Sequence, residues 1–121
     1  MSLEVMVVKK EEGVFVVSPT GSVDSDTYLV LEQEVETLLE NRPKVIIFDM
    51  RGVHYISSSG LGVIFKTKKA LQQNQGKAYL VNLTPPVKKV FDVVNALPEQ
   101  EVFASVEELD NYLDKIQSEE N

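Results

Sequence analysis

Apolar residues near the start of the chain fall in two short runs that predict an antiparallel hairpin. The runs cover residues 3–8 and 14–17, and the polar segment 9–13, which ends in glycine, lies between them. Two β-prone runs around a short polar turn are typical of a hairpin. Pro19 and Gly21 are expected to end the second strand, because proline lacks the N–H that a sheet ladder uses.

Four later segments carry apolar residues at helical spacing and therefore predict four helices. The apolar positions are Tyr28, Leu31, Val35, Leu38 and Leu39 in the first helix, Leu61, Ile64, Phe65 and Leu71 in the second, Val87, Val90, Phe91 and Val94 in the third, and Val106, Leu109, Leu113 and Ile116 in the last. Asp24, Ser25 and Asp26 favour the start of the first helix. Ser105 and Glu108 have the spacing of a capping box before the last one.

Short β-prone runs separate these helices. Residues 45–48 and 77–81 are predicted strands, and residues 102–103 are predicted to form a brief final strand. A hairpin followed by alternating helices and strands indicates an α/β domain with a mixed, mostly parallel sheet. We expect a single domain over residues 1–121, with residues 118–121 fraying.

Composition narrows the range of functions. The formal net charge of −7 argues against binding to nucleic acid or to an anionic membrane surface, since both need concentrated Lys and Arg. The absence of cysteine excludes disulfides, thiolate catalysis and Cys-ligated zinc. No apolar stretch approaches the roughly 20 residues that cross a bilayer. These features predict a cytoplasmic protein without a metal or cofactor.

Three consecutive serines, Ser57, Ser58 and Ser59, precede the second predicted helix. The N-terminal end of a helix has unpaired N–H groups and a partial positive charge, so a phosphate placed there is stabilised. A simple N-cap needs only one hydroxyl. Position alone leaves both interpretations open, a cap and a phosphate acceptor. Gly60 is unfavourable in a helix by up to about 1 kcal/mol, so we expect a partner or a neighbouring strand to pass close to its backbone.

Residues 56–64, Ile-Ser-Ser-Ser-Gly-Leu-Gly-Val-Ile, resemble the Asp-Ser-Ser-Gly-Leu-Gly signature of the STAS-domain anti-sigma factor antagonists. Residues 20–24 resemble the Thr-Gly-Glu-Leu-Asp turn of this family, and residues 48–53 resemble its third strand and the exit from it. Residues 86–92 resemble its Pro-x-Val-x-x-x-Phe helix. The resemblance covers nearly the whole domain and implies the STAS fold.

The resemblance implies that the protein works by partner switching. In the family, the unphosphorylated antagonist binds a serine-kinase anti-sigma factor and thereby releases a sigma factor. Phosphorylation ends this binding, and a PP2C-type phosphatase restores it. The family pattern places the phosphoacceptor at Ser58, with Ser57 and Ser59 as the alternatives. The residues that the resemblance assigns to partner binding are Asp24, Ser57, Ser58, Ser59, Gly60 and Leu61.

Two positions depart from the family pattern. Ser57 stands where the family has aspartate, and Ser22 stands where it often has glutamate. The alternative function is therefore a STAS interaction module in another signalling complex that is not regulated by phosphorylation.

Two other classes of protein fit the residues less well. Ser58, His54 and Asp49 are the residue types of a hydrolase triad, but the glycine that G-x-S-x-G requires two residues before the serine is missing. His54 is also expected in the same loop as the serine, so the pattern does not support a third group that would orient His54 as a general base. In a receiver domain phosphorylated on Asp49, the acidic pair that binds magnesium would precede Asp49 by two βα units. Asp24 precedes Asp49 by only one such unit. We therefore predict a protein that is not an enzyme.

Overall fold

The computed structural model describes residues 2–96 and 106–119. Within them the chain forms, in order, β1 (Leu3–Glu11), β2 (Val14–Val23), α1 (Tyr28–Leu39), β3 (Val45–Asp49), β4 (Gly52–Ile56), α2 (Ser58–Gln72), β5 (Lys77–Val81), α3 (Pro85–Ala96) and α4 (Val106–Glu119). The predicted hairpin, four helices and strands β3 and β5 are confirmed. The strand predicted at residues 102–103 and the predicted cap Ser105 lie outside the described residues.

The strands form one mixed sheet in the order β1-β2-β3-β5, in which β1 is antiparallel to β2 and the other pairs are parallel. β2 also pairs in parallel with β4, beyond the point where its pairing with β3 ends. This arrangement confirms the predicted fold class.

β2 does not end at Pro19 and Gly21, so that prediction is wrong. The strand continues to Val23, pairing with β3 over residues 14–17 and with β4 over residues 20–23. Pro19 lies in the gap between these two parallel ladders, where its missing N–H has no ladder bond to make. Gly21 has φ +126°, and a Cβ there would lie 2.5 Å from the carbonyl oxygen of Ser2.

β4 is a strand that the sequence pattern did not predict. His54, expected in a loop, lies on this strand and is exposed, whereas Val53 and Ile56 are buried. With only five residues, the first of them a glycine, β4 has too short an alternation to be distinguished from a loop. Its pairing with β2 makes it a strand.

The core lies between the sheet and α1 and α2, and extends to α3 and α4 beside β4. The largest fully buried side chains are Phe48, Leu31, Ile46, Met50, Ile56, Leu71 and Leu113. Phe65, predicted on the apolar stripe of α2, is instead 42% exposed, and its ring meets the edge of the Phe91 ring at 6.4 Å between centroids. None of the helices within residues 2–96 and 106–119 has the length and apolar character needed to span a bilayer.

Candidate functional site

The turns that follow β2 and β4 lie side by side, at the carboxyl-terminal ends of these two strands. Val23 pairs with Ile56 at the ends of the two parallel strands. The N–H of Ser57 donates to the carbonyl oxygen of Val23 at 2.9 Å, which ties the start of α2 to the end of β2. Because Asp24 follows Val23 directly, Asp24 and the serines lie at the same end of the sheet.

Ser57 is the N-cap of α2. Its backbone is extended (φ −95°, ψ 178°), and its Oγ accepts a hydrogen bond from the N–H of Gly60 at 3.4 Å. Its carbonyl oxygen accepts the first bond of the helix, from Leu61 at 2.9 Å. The residue is only 3% exposed. Ser57 therefore fulfils the capping role predicted for one of the serines, and its hydroxyl lies below the surface.

Ser58 and Ser59 are the first two residues of α2, and both are half-buried. The N–H groups in the first turn of a helix point toward its N-terminal end, where the helix dipole is positive. A phosphate on a hydroxyl in this turn would face a favourable field.

Gly60 and Leu61 lie beneath this corner rather than on it. Leu61 is 4% exposed. A Cβ on Gly60 would lie 2.7 Å from the Cγ1 atoms of both Ile56 and Val23, and 3.0 Å from the carbonyl oxygen of Val23. Of the two explanations offered for Gly60, the structure therefore supports close approach of neighbouring strands. These two residues were assigned to partner binding, and the structure buries both.

Gly62 belongs to the signature at residues 56–64, but no role was predicted for it from the sequence. It lies one helical turn after Ser58 on α2, and a Cβ there would meet nothing within 4 Å. Residues four apart share one face of a helix, so the surface beside Ser58 is small and open. The G-x-G spacing at residues 60–62 was the available signal, with one glycine facing inward and the other outward.

Asp24 organises the turn between β2 and α1. Its Oδ1 accepts hydrogen bonds from the N–H groups of Asp26 at 2.9 Å and Thr27 at 3.1 Å. The hydroxyl of the buried Thr27 accepts from the N–H of Asp24 at 2.9 Å and donates to the carbonyl oxygen of Ser22 at 2.7 Å. The carboxylate is therefore held in one position at the end of β2.

Gln117 on α4 anchors the strand end that leads into the serines. The side chain is 3% exposed. Its Oε1 accepts from the N–H of Ile56 at 2.7 Å, and its Nε2 donates to the carbonyl oxygens of Ile56 at 3.0 Å and Leu113 at 3.1 Å. No role was predicted for Gln117 from the sequence. Its spacing of four from Leu113 on the apolar face of α4 was the available signal.

Two further side chains join β4 to the segments around it. The hydroxyl of Thr84 donates to the carbonyl oxygen of Val53 at 2.6 Å. The hydroxyl of Tyr55 donates to the carboxylate of Asp114 on α4.

An open groove of about 500 Å³ runs between α4, β4 and the turn after β2. Its lining consists of Ser22, Asp24, Ser25, Asp26, His54, Tyr55, Asp114, Gln117 and Ser118. The groove is acidic, with three carboxylates.

Asp49 is engaged in a different part of the molecule from the serines. Its Oδ1 accepts from the backbone N–H and the Nε of Arg51, and from Nδ2 of Asn82 at 3.1 Å. Burial acts to raise the pKa of Asp49, but the hydrogen bonds from Asn82 and Arg51, together with the charge of Arg51, outweigh it and hold the pKa below its ordinary value of 3.8. In the described part of the chain, no group of three His, Asp or Glu side chains is placed to hold a metal ion.

The chain is similar in sequence to one family model and to several characterised proteins. The family model described as the STAS domain matches residues 5–109. BtrV of Bordetella bronchiseptica, named a candidate anti-sigma factor antagonist, is 32% identical over 84 residues, which are 69% of this chain and 72% of that protein. The anti-sigma F factor antagonist of Paenibacillus polymyxa is 28% identical over 104 residues, with 74% of this chain and 89% of that protein covered.

Solved structures show the same fold. The anti-sigma factor antagonist SpoIIAA in its unphosphorylated form superposes with a TM-score of 0.69 at 20% identity, over 95% of this chain and 97% of that one. The phosphorylated form of SpoIIAA from Bacillus superposes with a TM-score of 0.65 at 19% identity, over 93% of this chain and 99% of that one.

Proposed function

Because the chain belongs to the STAS domain family, we propose that it is an anti-sigma factor antagonist that works by partner switching. In its unmodified form it binds a serine-kinase anti-sigma factor, which then releases its sigma factor. Phosphorylation of Ser58 ends the binding, and a PP2C-type phosphatase reverses the modification. The names of the relatives support the antagonist function. The structures of SpoIIAA in two phosphorylation states support a switch of this kind.

The observation that carries the proposal is that Ser57 and Ser58 differ in their burial and in their position at the start of α2. Ser57 uses its hydroxyl to cap α2 and is buried, whereas Ser58 is half-buried in the first turn of the helix. A kinase has to reach the hydroxyl it modifies, so Ser58 is the better acceptor of the two. Gly62, one turn further on the same helix, leaves room for a partner backbone beside it.

The switch follows from the charge of the phosphate. Phosphorylation adds about −1.5 to −2 charges at neutral pH. At the N-terminus of α2 this charge is favourable by roughly 0.3 to 2 kcal/mol, so the domain keeps its fold. A partner surface complementary to a neutral hydroxyl would instead have to desolvate a dianion. A hundredfold loss of affinity needs only about 2.7 kcal/mol.

The test uses the unmodified protein, a purified anti-sigma factor kinase from the same organism, and ATP. Intact mass spectrometry should show one added phosphate on wild type and on the matched control Ser59→Ala, and none on Ser58→Ala. Titration calorimetry should show about a hundredfold weaker kinase binding after phosphorylation. Phosphate on Ser59, or unchanged modification of Ser58→Ala, would contradict the assignment.

The alternative function is an interaction module that phosphorylation does not regulate, and the capping residue bears on it. If the aspartate missing at position 57 helps a kinase to position itself, Ser57→Asp should raise the rate at which Ser58 is phosphorylated, since aspartate is an equally good N-cap. Ser57→Ala is the matched control, with the cap removed and no carboxylate added. Kinase binding without phosphorylation in both wild type and Ser57→Asp would favour the unregulated module.

A further inference from the structure

β1 forms one edge of the sheet, and two apolar side chains, Met6 and Val8, lie on its outer face. Among the described residues it pairs with β2 alone, over residues 3–11. Met6 is 66% exposed and Val8 is 50% exposed. A long edge strand with exposed apolar side chains is a template for pairing with another strand.

The backbone of β1 is oriented for such pairing. Opposite residues in an antiparallel pair alternate between pairs that exchange two hydrogen bonds and pairs that exchange none. Val5 lies opposite Pro19, and Pro19 has no N–H to donate, so this pair is of the second kind. The N–H and C=O groups of Val5, Val7 and Lys9 therefore point away from β2, toward the open edge.

Apolar side chains continue from β1 across the same face of the sheet. Val8 lies opposite Val16, Val16 opposite Ile47, and Ile47 opposite Tyr79. Val16 and Ile47 are half-buried, and Tyr79 is 48% exposed. A second sheet joined at β1 would extend this apolar strip and cover the most exposed part of it.

The sequence of β1 is complementary to itself in one antiparallel register. With Val7 of two copies facing each other across a twofold axis, Glu4 of each copy lies opposite Lys10 of the other, and Met6 lies opposite Val8. The Met6–Val8 pairs fall at positions that exchange no hydrogen bonds, where opposite side chains are closest and apolar pairs stabilise a sheet. The Glu4–Lys10 pairs lie at the two ends of the contact, beside the irregularity between Lys9 and Glu11, where opposite charges attract.

Neighbouring registers lack this complementarity. A displacement of two residues in one direction places Glu4 opposite Val8, and a displacement in the other direction places Lys10 opposite Met6. Each loses both ion pairs and, on the face that carries Met6 and Val8, sets a charge against an apolar side chain. A register centred on Lys9 would oppose two lysines.

We propose that β1 is a homodimerisation edge, at which two copies of this chain pair antiparallel about Val7 and form one continuous sheet. The irregularity of β1 between Lys9 and Glu11 limits the regular ladder to Val5–Lys9. Such a contact is small beside the roughly 1,200 to 2,000 Å² of stable interfaces. The dimer is therefore weak and forms at high micromolar concentration. This proposal does not depend on the function proposed for the serines.

Sedimentation equilibrium over a range of protein concentrations tests the dimer and its register. Wild type should show a mass that rises with concentration toward that of two chains. Glu4→Lys and Lys10→Glu should each raise the dissociation constant about tenfold, because two ion pairs become two like-charged pairs. The combined variant carrying both substitutions should regain most of the wild-type affinity. Circular dichroism checks that each variant is folded.

Disulfide trapping tests the register independently, since the chain contains no cysteine. Met6→Cys together with Val8→Cys places the two thiols opposite each other across the interface, at a Cα separation of about 4.5 Å that suits a disulfide. The variant should form a covalent dimer under mild oxidation, and Val8→Cys alone, the matched control, should form far less. A monomer at all concentrations, failed rescue by the charge swap, or equal trapping in both cysteine variants would overturn the proposal.

Discussion

β1 and β4 both pair with β2, and both are edge strands in the described structure. They differ in the hydrogen bonds that the rest of the chain makes to their free edges. Along β4, the amide of Gln117 bonds to both backbone groups of Ile56, and the hydroxyl of Thr84 bonds to the carbonyl oxygen of Val53. Along β1, the edge-facing groups over Val5–Lys9 belong to a strand that carries two apolar side chains, Met6 and Val8, which are half or more exposed. One edge is completed by the chain itself, and the other is suited to a second chain.

The difference bears on function because β4 leads directly into the serines. Ile56, which Gln117 holds, immediately precedes the cap Ser57. The position of the serine corner thus depends on a helix from the other end of the sequence. The candidate site follows directly on Ile56, whose backbone N–H and C=O groups both have partners in Gln117, while the open edge of β1 lies on the far side of β2.

The largest expected effect comes from filling the contact between α2 and the two strands. Gly60→Val should destabilise the protein by about 3 kcal/mol or prevent folding, because its side chain would overlap Val23 and Ile56. Gly62→Val is the matched control on the same helix, with open space around it, and it should be neutral or slightly stabilising. Urea denaturation measures both. Equal stabilities of the two variants would contradict the packing described for Gly60.

Removing the side chain that completes the edge of β4 should have the next largest effect. Gln117→Leu should cost about 2 to 3 kcal/mol, since it leaves buried N–H and C=O groups of Ile56 without partners. The exposed neighbour Ser118→Ala is the control and should stay within about 0.5 kcal/mol of wild type. Amide NMR shifts should change at residues 56–59 in the first variant alone. Unchanged stability and shifts in Gln117→Leu would remove the contrast between the two edges.

A smaller effect is expected from Asp49, which ties the end of β3 to Asn82 after β5. Its pKa in the folded state lies below the ordinary value of 3.8, so the unfolded chain takes up the proton first as the pH falls. The stabilisation, under about 1 kcal/mol, is complete well above pH 4 and is lost as the pH falls through the folded-state pKa. Melting temperatures between pH 7 and pH 2.5 should show this loss in wild type and a smaller one in Asp49→Asn. Parallel pH profiles for the two proteins would contradict it.

The smallest effect on stability should come from the open edge itself. Val8→Thr on β1 should change the free energy of unfolding of the dilute protein by no more than about 0.5 kcal/mol, because half of the Val8 side chain is exposed. The same change at the buried Val53 of β4 serves as the comparison and should cost clearly more, since it places a hydroxyl in the core. Thermal denaturation at low protein concentration measures both. Similar losses at the two positions would contradict the exposure described for Val8.

Local patterns in the sequence were sufficient for most of the fold. The spacing of Leu31, Val35 and Leu38 predicted the buried face of α1, and all three are buried. Three serines before an apolar helical pattern predicted a helix start, and α2 begins at Ser58. These features could be predicted because helix periodicity and capping involve residues within about four positions of one another. The same local information indicated where the candidate site lies.

The tertiary structure decided what each residue at that site does. β4 is a strand because β2 pairs with it, β2 passes Pro19 because two different ladders meet there, and Gln117 reaches Ile56 from 61 positions along the chain. The sequence alone determined that a serine would cap α2. Only the packing of α2 on β2 and β4 decided that Ser57 would be the buried cap, leaving Ser58 half-buried, and that Gly60 would face the strands. Such outcomes depend on contacts between residues far apart in the sequence, to which no local pattern responds.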